Sequence, residues 1–245
     1  EGGRYTARPN PVVGALVVKD DVVAAEGWHE QAGKPHAEII ALDAAGDKSR
    51  GATLYVTLEP CSFTGKTGPC SDAVIASGVS RVVYGMVDPN PKVSGSGLEQ
   101  IRAAGISVDG PVLEQEAKAL NPGFVKSMTV GLPFVRCKLA MSLDGRTAMA
   151  SGESKWITGP EARDQVQQLR AGSGAIITGI ETVLLDDPGL DVRSELVCEQ
   201  PLRVIVDSSL RIPVEAKILS LPGETIIATA VSSKELLADK QKMMG

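Results

Sequence analysis

His36, Cys61 and Cys70 are residue types that hold zinc, and Glu38 stands two positions from the first of them. Cys61 follows Pro60, and eight residues separate it from Cys70. Zinc favours imidazole and thiolate; a catalytic zinc keeps three protein ligands and a fourth position for water, whereas a structural zinc closes with four. One histidine and two cysteines, with no fourth ligand close in sequence, fit the catalytic count. Two thiolates offset most of the metal's charge, so a bound water is acidified less than three neutral imidazoles would acidify it. A base is then needed beside it, and Glu38 is placed to be that base. A structural zinc knuckle and a pair of cysteines buried as small apolar residues are the competing readings. The chain has one other histidine, His29, which is expected to be a bystander at the surface.

These groups need short elements to position them. Ala37, Ile39, Ile40, Ala41 and Leu42 give a helix that opens at His36 and ends at Gly46. Residues 71–77 give a second helix, stopped by Gly78, with Cys70 at its start. The partial positive charge of a helix N-terminus favours thiolate over thiol. Residues 12–19 and 22–27 flank Asp20-Asp21 as a hairpin. Strands are predicted at 53–58, 81–86 and 106–108, a Pro- and Gly-rich loop at 87–97, and a helix at 98–104. This alternation predicts an α/β sandwich with helices on the sheet faces.

Asn121-Pro122-Gly123 and Gly131-Leu132-Pro133 bracket a domain junction, which divides the chain into residues 1–130 and 131–245. A new strand is predicted at 134–140, followed by a turn at Asp144-Gly145. Pro160 opens a helix that reaches Arg170. Further strands at 174–178, 202–207 and 225–229 make the second half α/β as well.

A chain of 245 residues suits two ordinary domains. With 43% hydrophobic but 3% aromatic residues, the cores must be built from Val, Ile, Leu and Ala. The net charge of −5 and the lack of any Lys/Arg run argue against a nucleic-acid groove, which needs a basic track and stacking aromatics. No segment approaches the ~18 apolar residues of a membrane span, and no secretory leader is visible. Four cysteines do not make a disulfide framework. A cytoplasmic enzyme acting on a small molecule is expected, with Cys137 and Cys198 as ordinary thiols.

His36-x-Glu38, Pro60-Cys61 and Cys70 together form the pattern of zinc nucleoside and nucleobase deaminases, in which the glutamate shuttles protons and is not a ligand. The usual C-x-x-C spacing is replaced by the longer insert Ser62-Phe63-Thr64-Gly65-Lys66-Thr67-Gly68-Pro69. With Pro9-Asn10-Pro11-x-Val13-Gly14 and Asp88-Pro89-Asn90-Pro91, this insert closely resembles the RibD family of bifunctional riboflavin-biosynthesis enzymes. The resemblance implies a cytidine-deaminase-like three-layer α/β domain over 1–130. It implies zinc-dependent loss of the 2-amino group of 2,5-diamino-6-ribosylamino-4(3H)-pyrimidinone 5′-phosphate as ammonia. Glu38 takes a proton from the attacking water and returns it to the departing nitrogen. By the same resemblance Asn10, Lys66, Asp88 and Asn90 hold base, ribose and phosphate. Three positions depart from the family pattern: Phe63 where many members carry histidine, Gly68 for a common proline, and Ser96 for a common Arg or Lys.

Residues 138–146, Trp156-Ile157-Thr158, Arg163, Arg170 and Asp186-Asp187-Pro188-x-Leu190-x-Val192-Arg193 continue the resemblance. They imply a dihydrofolate-reductase-like α/β domain over 131–245 that reduces the ribosyl group to ribityl with NADPH. Position by position, Ala140, Trp156, Thr182, Asp186 and Ser208 would contact NADPH. Ser154, Arg170, Leu190 and Arg193 would hold the ribosyl phosphate, with Lys138 near the reacting sugar. The second half has no G-x-G-x-x-G after a strand, so its own residues do not indicate a Rossmann site. Gly245 falls before the family's later Gly-rich loop and its substrate-binding glutamate, so the reductase domain is expected to lack its C-terminal part, in a piece of a longer protein. The resemblance also implies a homo-oligomer. A deaminase of another base with a degenerate second domain, and a zinc-stabilised binding module without chemistry, stay open at this point.

Overall fold

The computed structural model describes residues 2–64, 68–154, 156–193, 195–196 and 199–232. These divide into two compact units, with the break between Lys138 and Leu139.

The first unit is built on a five-stranded sheet in the order β2-β1-β3-β4-β5. Its strands are β1 (Gly14–Lys19), β2 (Val22–Trp28), β3 (Thr53–Val56), β4 (Arg81–Tyr84) and β5 (Ser107–Asp109). Strands β1 and β2 form an antiparallel hairpin closed by Asp20 and Asp21, both at positive φ (49° and 60°). That pair of left-handed residues is the signature of a type I′ turn, whose twist matches the flanking strands. Strand β3 is antiparallel to β1, and β4 and β5 follow in parallel. Parallel neighbours need crossover connections, and helices supply them. Five helices accompany this sheet: α1 (Ala37–Ala45), α2 (Cys70–Ser77), α3 (Ser96–Ala103), α4 (Glu114–Leu120) and α5 (Pro122–Val130).

Alternation along the strands decides which face takes which helix. Ala15, Val17, Leu54, Val56 and Val82 are buried with Ala41 and Leu42 of α1, Val74 of α2 and Leu98 and Ile101 of α3. Leu16, Tyr55 and Val83 line a groove on the opposite face with Leu113 and with Ala117 and Leu120 of α4. Helices α1, α2 and α3 thus cover one face of the sheet, and α4 borders the groove on the other. Gly78 closes α2 in the left-handed conformation (φ 76°), as a helix-terminating glycine does.

One glycine fixes how closely α1 lies on the sheet. A Cβ on Gly27 would stand 2.5 Å from the Ala37 carbonyl and 2.6 Å from the Ala41 nitrogen. The missing side chain lets the first turn of α1, which carries Glu38, sit directly on β2.

The second unit holds a three-stranded parallel sheet in the order β6-β7-β8, formed by Ala175–Gly179, Leu202–Val206 and Thr225–Ala228. Helices α6 (Pro160–Ala171), α7 (Ile180–Asp186) and α8 (Lys217–Ser220) accompany it. Its core joins Ile180, Val183, Leu190, Ile205, Ala216 and Ile218. Arg203 is 1% exposed, and its guanidinium donates to Thr225 Oγ1 and to the carbonyls of Leu221 and Gly223.

The expected strand at 134–140 does not form; these residues have no sheet pairing among the described residues, and Val135 is 76% exposed. Their β-favouring side chains meet no partner strand among the described residues, and a strand is defined by its ladder. The Asp144-Gly145 turn does form, with Gly145 at φ 79° and its N–H donating to the Ser142 carbonyl. Between the two expected junction signals lies α5, opened by Pro122 and closed by Gly131 in the left-handed region.

Gly27→Ala is expected to push α1 off the sheet and destabilise the first unit by about 1–3 kcal/mol, the usual cost of overpacking. Chemical denaturation of the variant beside the parent checks this.

Candidate metal centre and active site

Two helix starts and one loop converge at the carboxyl end of β3. His36 is the residue before α1, Cys70 is the first residue of α2, and Cys61 follows β3 through Thr57, Leu58, Glu59 and Pro60. The Cys70 backbone N–H points at Cys61 Sγ (3.4 Å), and the Ser71 N–H donates to the Cys61 carbonyl (3.0 Å). The start of α2 therefore supplies both a ligand and the dipole that steadies the other sulfur.

His36 Nδ1 lies 3.2 Å from Cys70 Sγ and 3.6 Å from Cys61 Sγ, and all three donor atoms fall within 4.8 Å of one another. Around a tetrahedral zinc, bond lengths of ~2.3 Å to sulfur and ~2.0–2.1 Å to nitrogen put those atoms about 3.6 Å apart. The donor set fits zinc in both chemistry and spacing. Its protonation points the same way. Hydrogen bonding from Cys70, reinforced by His36, pushes the Cys61 thiol down to about 4. The Cys70 thiol is pushed up, first by its hydrogen bond to Cys61 and then by burial. Both shifts come first from the close approach of the two sulfurs, and a divalent cation stabilises such an approach when both are thiolates.

Glu38 is 3% exposed, and burial pushes its carboxyl up to about 7. A carboxyl in that range gives and takes protons with little cost at neutral pH. It opens onto a cavity of about 500 Å³ that is also lined by Asn10, His29, His36, Glu59, Cys61, Phe63, Asp88, Asn90, Phe124 and Met128.

The structure thus brings together every described deaminase residue expected from the sequence; Lys66 lies outside the described residues. Asp88 accepts the Asn90 N–H (2.8 Å) and Asn90 accepts the Lys92 N–H (3.1 Å), so both carboxyl and amide groups are set by local turns. Burial, opposed by the Asn90 N–H and aided by Glu59 and Cys61, pushes Asp88 up to about 6. Phe63, 40% exposed, lies on the cavity wall. Ser96 hydrogen-bonds Ser62 (2.5 Å), tying the start of α3 to the loop after Cys61. Gly68 has open space around it.

His29 corrects an expectation: it is 2% exposed, not a surface residue. Its ring stands edge-on to that of His36, with centroids 5.2 Å apart. Nδ1 is 3.0 Å from the Pro35 carbonyl, which can only accept, so Nδ1 carries the proton. Nε2 then accepts from Asn10 Nδ2 (3.0 Å). Burial lowers the His29 pKa and keeps that neutral form. The orientation of the Asn10 carboxamide, and hence which atoms it offers to a ligand, follows from this chain of bonds.

Two further groups give no sequence signal. Glu59 is 3% exposed and accepts three backbone N–H groups. Phe124 and Met128 of α5 add an apolar wall to the cavity. Their spacing of four along one helix could have shown a common face, but not that it meets a ligand.

In the second unit Thr182 lies in α7 directly after β6, Asp186 ends α7, and Ser208 follows β7. Ligands of open parallel sheets bind at the carboxyl ends of strands, and Thr182 and Ser208 follow such ends directly, while Asp186 stands at the far end of α7. Trp156 is 73% exposed, with the Arg163 guanidinium 4.6 Å from its ring centroid. Ala140 and Ser154 are half-buried and lie before α6. Arg170, near the end of α6, donates to the Asp191 carbonyl (2.9 Å), while the Arg193 side chain pairs with the Asp191 carboxylate (3.6 Å). Burial and the like charge of Arg193 lower the Arg170 pKa. Leu190 is buried beside them at φ 51°. Lys138 is exposed and closes the first unit.

Residues 3–86 match the family model of the cytidine and deoxycytidylate deaminase zinc-binding region. With the donor set and Glu38, this defines the class: a zinc-dependent deaminase fused to a second α/β unit. Residues 133–242 match the RibD C-terminal domain. The chain is 52% identical over 246 residues to the riboflavin biosynthesis protein RibD of Escherichia coli, covering 95% of this chain and 67% of that protein. It is 48% identical to RibD of Aquifex aeolicus, over 98% and 67%. The crystal structure of Acinetobacter baumannii RibD superimposes with a TM-score of 0.88 at 50% identity, over 97% of this chain and 68% of that one. A Thermotoga maritima structure named as a diaminohydroxyphosphoribosylaminopyrimidine deaminase/5-amino-6-(5-phosphoribosylamino)uracil reductase gives 0.89 at 42% identity, over 95% and 67%. The chain belongs to the RibD family of riboflavin biosynthesis, and spans about two thirds of the length of these relatives.

Cys70→Ser is expected to drop bound zinc from near one ion per chain to a small fraction, because an alcohol is a far poorer ligand than a thiolate. Metal analysis of the purified variant after dialysis checks this.

Proposed function

We propose that the chain acts on a diaminopyrimidine ribotide in its first unit and reduces the ribosyl group of the deaminated product through its second. The observation that carries the first part is the buried carboxylate of Glu38 at the floor of a cavity shared with His36 and Cys61. Zinc, when bound by His36, Cys61 and Cys70, supplies Lewis acidity that makes water a better nucleophile at neutral pH.

The chain's own residues do the rest. Glu38 holds a proton removed from the attacking water and delivers it to the leaving amino nitrogen, so that ammonia departs neutral. Asn10, oriented by His29, is positioned to read the edge of the ring. Asp88 and Asn90 meet the ribosyl side, and Lys66 is assigned the phosphate. The cavity's volume of about 500 Å³ is within the range of small-molecule sites. Phe63, Phe124 and Met128 give it an apolar wall suited to a flat heterocycle.

For the second step, NADPH bound by the second unit would supply the hydride that reduces the opened sugar. Ala140, Trp156, Thr182, Asp186 and Ser208 are assigned to hold it, a reading supported by the placement of Thr182 and Ser208 just after the strand ends. Ser154, Arg170, Leu190 and Arg193 are assigned to the ribosyl phosphate, with Lys138 near the sugar. Two guanidiniums that share Asp191 suit a doubly charged anion, which guanidinium binds through paired hydrogen bonds. Like relatives named for riboflavin biosynthesis, the protein acts on a small molecule; no helix among the described residues is long and apolar enough to cross a membrane. A cytoplasmic homo-oligomer is the corresponding proposal for its setting.

Glu38→Gln is expected to keep zinc while ammonia release from the ribotide falls ~100-fold or more, the usual scale for loss of a general acid–base group. Unchanged turnover in the zinc-loaded variant would remove the assignment. Arg170→Met is expected to raise KM for the reduction ~10–100-fold, as loss of a charge-assisted hydrogen bond does, with deamination unchanged. Loss of NADPH absorbance follows the first and ammonia the second.

A further inference from the structure

We infer that Glu59 is a positioning residue for the deamination, holding the Asp88–Asn90 segment in a preformed arrangement against the cavity; this rests on the ribotide-deaminase reading above. Glu59 lies between β3 and the ligand Cys61, and it also contributes to the cavity wall. Its own N–H donates to the Met86 carbonyl (3.0 Å), which continues the β3–β4 pairing past the strand ends. Its side chain then turns to three backbone amides of a different segment. Oε2 accepts the N–H of Asp88 (3.1 Å) and of Gly95 (2.8 Å), and Oε1 accepts the N–H of Gly97 (3.0 Å).

A carboxylate has two oxygens and several lone-pair sites, so it can accept several backbone N–H groups at once. Here both oxygens are used, and the donors bracket the loop that carries Asp88 and Asn90. Gly97 fits this clasp because a Cβ there would collide with the Pro60 carbonyl. One side chain thereby fixes both ends of residues 88–97 to the strand exit that leads into Cys61. An apolar residue of similar size would leave these donors without acceptors. A glutamine would turn an N–H₂ group toward at least one of them.

Preorganised contacts lower the cost of ordering a loop when ligand binds. The consequence belongs to substrate affinity rather than to proton transfer, since Glu59 is not among the groups assigned to the reacting atoms. In the full protein, Glu59→Gln is expected to retain zinc and to raise KM for the ribotide ~10-fold or more while kcat stays within ~3-fold. An unchanged KM, or a fall in kcat alone, would overturn the proposal. Asp88→Ala supplies the cycle: if Glu59 acts through that segment, E59Q adds less to KM in the D88A background than alone, and full additivity argues against it.

Amide exchange in the ligand-free parent protein tests the clasp without a variant or turnover. The amides of Asp88, Gly95 and Gly97 are expected to exchange ~100-fold or more slowly than that of Lys92, whose hydrogen bond to the Asn90 side chain is exposed. Equal rates would overturn the proposal even if E59Q does not fold. The parent's ammonia release is measured alongside, so failure of the substrate assignment shows there and leaves the exchange result intact.

Discussion

A carboxylate and two sulfurs gathered around one imidazole, with little access to water, is an arrangement that electrostatics opposes unless positive charge joins it. The fold supplies part of that charge from the first turn of α2, which directs a backbone N–H at Cys61 Sγ. A divalent cation supplies the remainder. Much of the first unit follows from meeting this constraint: β3 delivers Cys61, β2 and Gly27 set the depth of α1, and α2 brings Cys70 to the same point. Burial that would be a defect elsewhere raises the Glu38 carboxyl into the neutral range, as the proposed proton transfer requires.

The cluster of His36, Cys61 and Cys70 was legible in the sequence because zinc chemistry allows few residue types, and because two of the three stand where a helix begins. The elements around it were legible for a related reason. Gly46 and Gly78 punctuate α1 and α2, and Asp20-Asp21 marks the hairpin. The strand expected at 134–140 shows the converse. Its residues favour extended structure, but pairing depends on a partner that local composition does not reveal.

His29 and Glu59 escaped for different reasons. Nothing in an isolated histidine announces burial; its role arises from Pro35 and Asn10, which only the hairpin and the turn after it bring near. The partners of Glu59 are backbone N–H groups, which every residue except proline has, so no side-chain pattern could point to them. In the second unit the individual residues are less telling than their order. Arg170 and Arg193 become a pair only when the chain between them folds back at Asp191.

The hairpin has a consequence at a distance. Asn10 lies just before β1 and His29 just after β2, so their meeting is a matter of counting residues around the loop that joins the two strands. Because side chains alternate between sheet faces, a one-residue slip in a strand pair reverses every one of them. The two aspartates at the far tip therefore act as a gauge for the Asn10–His29 bond at the open end. The irregularity between Val17 and Val18 enters the same count. A loop outside the cavity thus sets the alignment of two groups that line it.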